Sequence, residues 1–211
     1  MANRASEVSV QRLVLIASAV VLLMPGCGAS SKLEFYSNEP GNFRVLVAGK
    51  PGHSSQTVAS PAGQLSMTSI ESVDADKIRR VVVYTDIPLS VVKSNDPSVL
   101  LDGGIRGMSA KGQWTVERQG QITLDGHPGR DVRFAVSSPS SKEKGAGGAR
   151  IFLVGNRVYQ AIMVGPASKV NEEELDHFVK SFELLNKVPV STIAAETLRP
   201  KDTGEIGRAH V

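Results

Sequence analysis

Asp125, His127, Arg130 and Asp131 crowd into one short stretch of this chain, and their chemistry is worth weighing first. A histidine beside a carboxylate has the parts of a general base, because the carboxylate can orient the imidazole and stabilise its protonated form. The surrounding residues argue for something plainer. Gly126, Pro128 and Gly129 interleave with the group, so His127 reads as a solvated turn histidine. The other histidines of the main body, His53 and His177, lie far from it in the sequence and do not make a ligand set with metal-site spacing. Glu172-Glu173-Glu174 could suggest cation binding, but three carboxylates just after Asn171 fit a helix N-terminus better. Trp114, Tyr84 and Tyr159 fall on strand patterns and read as core or sheet-face residues. Trp114, Tyr159 and His127 are retained as ligand candidates. No nucleophile elbow, HExxH, phosphate-binding loop or dinucleotide fingerprint occurs, so no catalytic residue, metal or cofactor is expected.

Cys27 carries a more specific signal. It is the single cysteine and follows the apolar run Leu13–Met24 and the pair Pro25-Gly26, with Arg4 and Arg12 upstream. Charge, apolar stretch and small residues come in the order of an export signal. The run is too short to span a bilayer, which takes about 20 apolar residues. The arrangement resembles the lipobox of bacterial lipoproteins, although Met24 stands where leucine is usual and Pro25 where a small residue is commoner. That resemblance implies cleavage between Gly26 and Cys27 and acylation of the Cys27 thiol. Multiple acyl chains anchor a protein stably, whereas one does not. Gly28, rather than aspartate, follows the cysteine, which permits an outer-membrane or surface destination.

Charge narrows the partners. The chain is formally +3, and losing Arg4, Arg12 and Glu7 with the leader leaves +2, so the mature protein is nearly balanced. No Lys/Arg run exceeds two residues, as at Arg79-Arg80, and aromatics make up only 5%. Basic stripes and stacking platforms are therefore missing, and no nucleic-acid partner is expected. With one cysteine there is no internal disulfide, and the fold must rest on its core.

The elements that would position these residues follow from hydrophobic periodicity. Residues 1–26 read as the lipoprotein signal peptide and 27–38 as a polar, serine-rich, lipid-proximal linker. A domain is expected over 39–185, with a disordered or truncated tail over 186–204. Residues 205–211, Glu-Ile-Gly-Arg-Ala-His-Val, back-translate to a string containing AGATCGGAAGAGCACACGTC, the start of a common sequencing adapter. They read as an artefact, and His210 carries no functional weight. Within the domain, strands are predicted at 43–47, 63–73 and 79–85. A helix is predicted over 98–108, introduced by Asp96-Pro97. Strands over 114–124 and 129–136 make a hairpin through residues 125–129. Residues 137–148 read as a mobile Ser/Gly/Lys loop. A second hairpin joins 150–154 to 157–164 through Gly155-Asn156, and Leu175, Phe178, Val179 and Phe182 form the apolar stripe of a final helix.

The order β-β-β-α-β-β-β-β-α, built of hairpins, implies an α+β domain: a mostly antiparallel sheet of six to seven strands packed by helices. This pattern resembles the PsbP-like fold. The resemblance rests on Phe43-Arg44-Val45 with Pro51-Gly52, the Asp125–Arg130 turn, the Ile151–Val164 hairpin and the Phe178–Phe182 helix. Members of that fold are mostly small non-enzymatic partners, including a photosystem II extrinsic subunit and a Ran-binding import factor. Neither specific activity carries over, since no binding motif of either is matched. The expectation is a non-enzymatic, lipid-anchored envelope protein that holds the membrane through its anchor and binds an unidentified envelope protein. A carrier of a small or lipid-like ligand is the alternative. A hydrolase using His127 with Asp125 or Asp131 is the third.

Overall fold

A computed structural model describes residues 32–60, 63–109, 113–138 and 141–186. Cys27 with its apolar leader, most of the C-terminal tail and the 205–211 heptad lie outside the described residues. Seven strands form one antiparallel sheet in the order β3-β4-β5-β9-β8-β7-β6. These are β3 (Gly52–Ser60), β4 (Gly63–Val73), β5 (Arg79–Asp86), β6 (Trp114–Leu124), β7 (His127–Ser138), β8 (Ser141–Val154) and β9 (Arg157–Pro166). A second sheet has the order β1-β2-β10, from β1 (Leu33–Asn38), β2 (Phe43–Ala48) and β10 (Glu183–Leu184). The described residues also form three helices: α1 (Leu89–Ser94), α2 (Pro97–Ser109) and α3 (Glu172–Lys180).

The central strands bury both faces, which explains the unbroken apolar run Val81-Val82-Val83 in β5 and the buried stretch from Val158 to Met163 in β9. On one face, Leu65, Met67, Val83, Phe134, Ile151 and Ile162 pack beneath Leu100, Leu101 and Ile105 of α2. On the other, Ile70, Val82, Phe152, Tyr159 and Met163 meet Phe43 and Val45 of β2 together with Leu175, Phe178 and Phe182. Burial on both faces at roughly 25 cal/mol per Å² of apolar surface is the main force holding the three layers together. The rings of Phe43, Phe152 and Tyr159 all lie within 6 Å of Phe182, between centroids. Asn171 caps α3 by accepting from the Glu174 N–H at 2.7 Å, and Asp96 accepts from the Ser98 N–H at 2.7 Å ahead of α2. Both caps agree with the sequence.

Four expectations are corrected. The content is mostly β, so α+β fits only roughly. The stretch assigned to a linker contains β1, which pairs in register with β2 from Leu33↔Ala48 to Asn38↔Phe43. Half of its side chains are exposed, and backbone pairing rather than an apolar pattern defines it. The edge strand β3 lacks an apolar signal for the same reason: its residues are mostly polar and exposed, with only Val58 partly packed on the core. Finally, the presumed loop over 137–148 is largely β8. A Cβ on Gly147 would lie 2.8 Å from the Phe134 ring and would run into the Met163 carbonyl, and one on Gly148 would lie 2.8 Å from Leu175 Cδ2. Glycine here marks a strand beneath its neighbours' side chains, a close approach that imitates loop composition.

Candidate functional site

The Asp125–Asp131 group is taken apart by the fold. Asp125 and Gly126 form a two-residue hairpin turn, both left-handed with φ of 49° and 84°, and Leu124 pairs directly with His127. His127 is thus the first residue of β7 and not a turn residue. It is 2% exposed, which overturns the solvated reading, and its Nε2 has no hydrogen-bond partner among the described residues. Four residues of strand separate it from Asp131 by about 13 Å. Asp131 does not orient it; both its oxygens accept from Arg133 Nη1, at 3.0 and 3.1 Å.

Strand alternation sends Arg130 to the opposite face, where its Nε donates to Asp102 Oδ1 of α2 at 2.8 Å. Asp131 and Arg133 stay on the α3 face. There, cross-strand register aligns Gly120, Asp131 and Arg150 in one row and Arg118, Arg133 and Gly148 in the next. With the flank of α3 these rows enclose an open groove of about 470 Å³. Arg133 lies at its centre, donating through Nε to Glu172 Oε1 at 2.9 Å and through Nη2 to Asp176. Burial disfavours its charge, but the bonds to Glu172 and Asp131 outweigh this and raise its pKa. Asp176 also accepts from Lys180, and this bond, seconded by the nearby Arg133 and Arg150, holds its carboxyl below the usual range.

Two guanidiniums of the groove are less fully used. Among the described residues Arg118 donates only through Nη2, to Glu172 Oε1 at 2.6 Å, and Arg150 only through Nε, to Asp131 at 3.3 Å. Arg118, Arg133, Arg150 and Lys180 face Asp131, Glu172 and Asp176, leaving one net positive charge. Gly120 lies on the floor, where an added Cβ would meet nothing within 4 Å. The groove offers planar donors for an oxyanion such as a carboxylate, and it contains neither histidine nor hydroxyl nucleophile.

The other sequence candidates are placed elsewhere. Tyr159 is buried, its hydroxyl donating to the Gly41 carbonyl at 2.8 Å, so it is a core residue. Trp114 is half-buried and stacks on Phe134 at 4.3 Å. Tyr84 lies under the Arg157 guanidinium, 5.1 Å from the ring centroid. His53 bonds the Tyr36 hydroxyl at 2.8 Å, and His177 is exposed on α3. Among the described residues no group of histidine, cysteine and carboxylate side chains is arranged to hold a metal ion, and no helix is long and apolar enough to cross a membrane.

Buried arginine is the feature that sequence reading missed. Arg80 is 2% exposed, with Nη1 donating to Asp74 at 2.8 Å and Nη2 to Glu174. Its signal was present: residue 80 adjoins the unbroken apolar run Val81-Val82-Val83, and alternation within β5 puts it on the same face as Val82. The carboxylates at the head of α3 are therefore clamps as well as dipole partners, with Glu174 held by Arg80 and Glu172 by Arg118 and Arg133.

No family model and no curated protein matches this chain. Among solved structures it is similar to the solution structure of cyanobacterial PsbP (CyanoP) from Synechocystis sp. PCC 6803. The two share 15% identity at a TM-score of 0.49, over 77% of this chain and 97% of that one. It is also similar to a protein of unknown function from Pseudomonas aeruginosa, described as a putative regulator. That match has 11% identity and a TM-score of 0.31, over 81% of this chain and 99% of the other.

Proposed function

We propose that this is a lipid-anchored envelope protein whose domain, of PsbP-like fold, is a non-catalytic binding module that holds a partner protein through the Arg118–Arg150 groove. The observation that carries the reading is the pair of incompletely bonded guanidiniums over an open glycine floor. Such a site recognises a carboxylate by paired N–H donors. The anchor is Cys27, acylated after cleavage at Gly26, and the destination is the outer membrane or cell surface. A protein partner is favoured over a small or lipid-like ligand because the central strands of the large sheet are packed on both faces and the Arg118–Arg150 groove is an open surface one. Burial of His127 and the bonds of Asp131 to Arg133 and Arg150 weigh against the hydrolase reading.

The test combines mass and capture. Full-length protein is expressed in a bacterium beside Cys27→Ser, and the intact mass of the membrane-extracted chain is measured. The expected species begins at Cys27 and carries diacylglycerol and acyl groups. Capture from solubilised host membranes is then compared between the wild-type chain and Arg118→Glu/Arg150→Glu. Partners retained equally by both would end the groove assignment. An unmodified soluble chain would end the anchor assignment.

A further inference from the structure

The two outer strands of the large sheet are protected very differently. An edge strand presents a row of unpaired backbone N–H and C=O groups, and proteins commonly blunt such rows with charges, proline, bulges or short length. At β6 the usual devices are present: Glu117 and Arg118 lie on the strand, and the register is broken between Val116 and Arg118. In the small sheet, the edge strand β1 is six residues long and carries Glu34. At β3 they are missing. Its nine residues, Gly-His-Ser-Ser-Gln-Thr-Val-Ala-Ser, include no Asp, Glu, Lys, Arg or Pro. Pairing with β4 runs without a bulge from Gly52↔Glu71 to Ser60↔Gly63, and among the described residues β4 is its only strand partner.

We infer that β3 is a self-association edge, pairing antiparallel with β3 of a second copy so that one sheet runs through both protomers. The choice of a second copy follows from charge. A strand without Asp, Glu, Lys or Arg has nothing to attract a charged segment, whereas antiparallel self-pairing sets it against an equally uncharged strand. Its hydroxyls also pair with their own kind: Ser54 Oγ and Ser69 Oγ lie 2.7 Å apart, and Ser55 Oγ and Thr68 Oγ1 3.0 Å apart, across the existing seam. Main-chain hydrogen bonds would supply the affinity, as in other cases of strand addition. The groove beside α3 lies toward the opposite edge of the sheet, so association through β3 leaves it open.

Sedimentation equilibrium of the full chain carrying Cys27→Ser, in mild detergent, tests this without acylation or an intermolecular disulfide. Concentrations extend to about 1 mM, the weak end of specific association. The expected result is a concentration-dependent doubling of mass, abolished by Thr57→Lys/Ala59→Lys at two exposed positions of β3. Gln119→Lys/Gln121→Lys, at exposed positions of β6, should dimerise like the parent. Circular dichroism checks that each variant is folded. As a reading free of substitution, amide exchange in β3 should slow as the parent is concentrated, with β6 unaffected. A mass that stays monomeric throughout, or a dimer that persists in folded Thr57→Lys/Ala59→Lys, overturns the inference.

Discussion

The Tyr159 hydroxyl donates to the Gly41 carbonyl at 2.8 Å, tying the middle of the large sheet to the turn that enters β2. The contact links residues 118 positions apart, and it fixes how the small sheet sits on the large one. Gly41 is pinned there from both sides, its N–H donating to Asn38 Oδ1 at 2.6 Å.

Removing the hydroxyl while keeping the ring isolates that tie. Tyr159→Phe leaves the buried Gly41 carbonyl without this donor and should cost about 1–3 kcal/mol. Gly41→Ala should be at least as damaging, because its Cβ would lie 2.6 Å from both Asn38 Oδ1 and Phe43 Cε1. Urea denaturation followed by far-UV circular dichroism measures both. A Tyr159→Phe chain as stable as the parent would show that the tie contributes nothing.

The α3 clamp makes stability pH-dependent in a defined direction. The Asp176 carboxyl titrates below its ordinary range, first through its bond to Lys180 and then through the charges of Lys180, Arg133 and Arg150. A group with a depressed folded pKa adds stability above its unfolded pKa and loses it as pH falls through the folded value. Stability should therefore decline on acidification below about pH 4. Asp176→Asn should flatten that part of the profile and lower stability at neutral pH. Denaturation midpoints from pH 7 downward would show it, and parallel profiles for the two chains would count against the clamp.

Two glycines of the same sheet should respond oppositely to alanine. Gly147→Ala drives a Cβ into the Met163 carbonyl and the Phe134 ring, with an overpacking cost of about 1–3 kcal/mol. Gly120→Ala enters open space on β6 and should gain about 0.5–1 kcal/mol from reduced unfolded-state freedom. Thermal melts of the two variants decide this by the sign of the shift.

Hydrophobic period and turn chemistry marked much of the fold in advance. The Gly155-Asn156 hairpin appears as expected, with Val154 opposite Arg157, and so do α2, the caps of Asp96 and Asn171, and α3, although that helix ends at Lys180 and Phe182 joins the core from beyond it. These features are encoded within a few residues of where they act. The elements that were missed have no such local code. β1 and β3 are exposed edge strands stabilised by backbone bonds to a neighbour, and β8 disguises itself with glycines that only its neighbours' side chains explain.

The candidate site divides along the same line. Sequence alone determined the residue types available: a lone Cys27 after an apolar run, a histidine among carboxylates, three glutamates at a helix start. Tertiary structure decided which of them meet. Strand alternation put Arg130 and Arg133 on opposite faces, and register set Gly120, Asp131 and Arg150 side by side from three different strands. Burial withdrew His127 from the surface. Proximity between residues far apart in the chain depends on pairing register and layer packing, and neither is written in the spacing of any one segment.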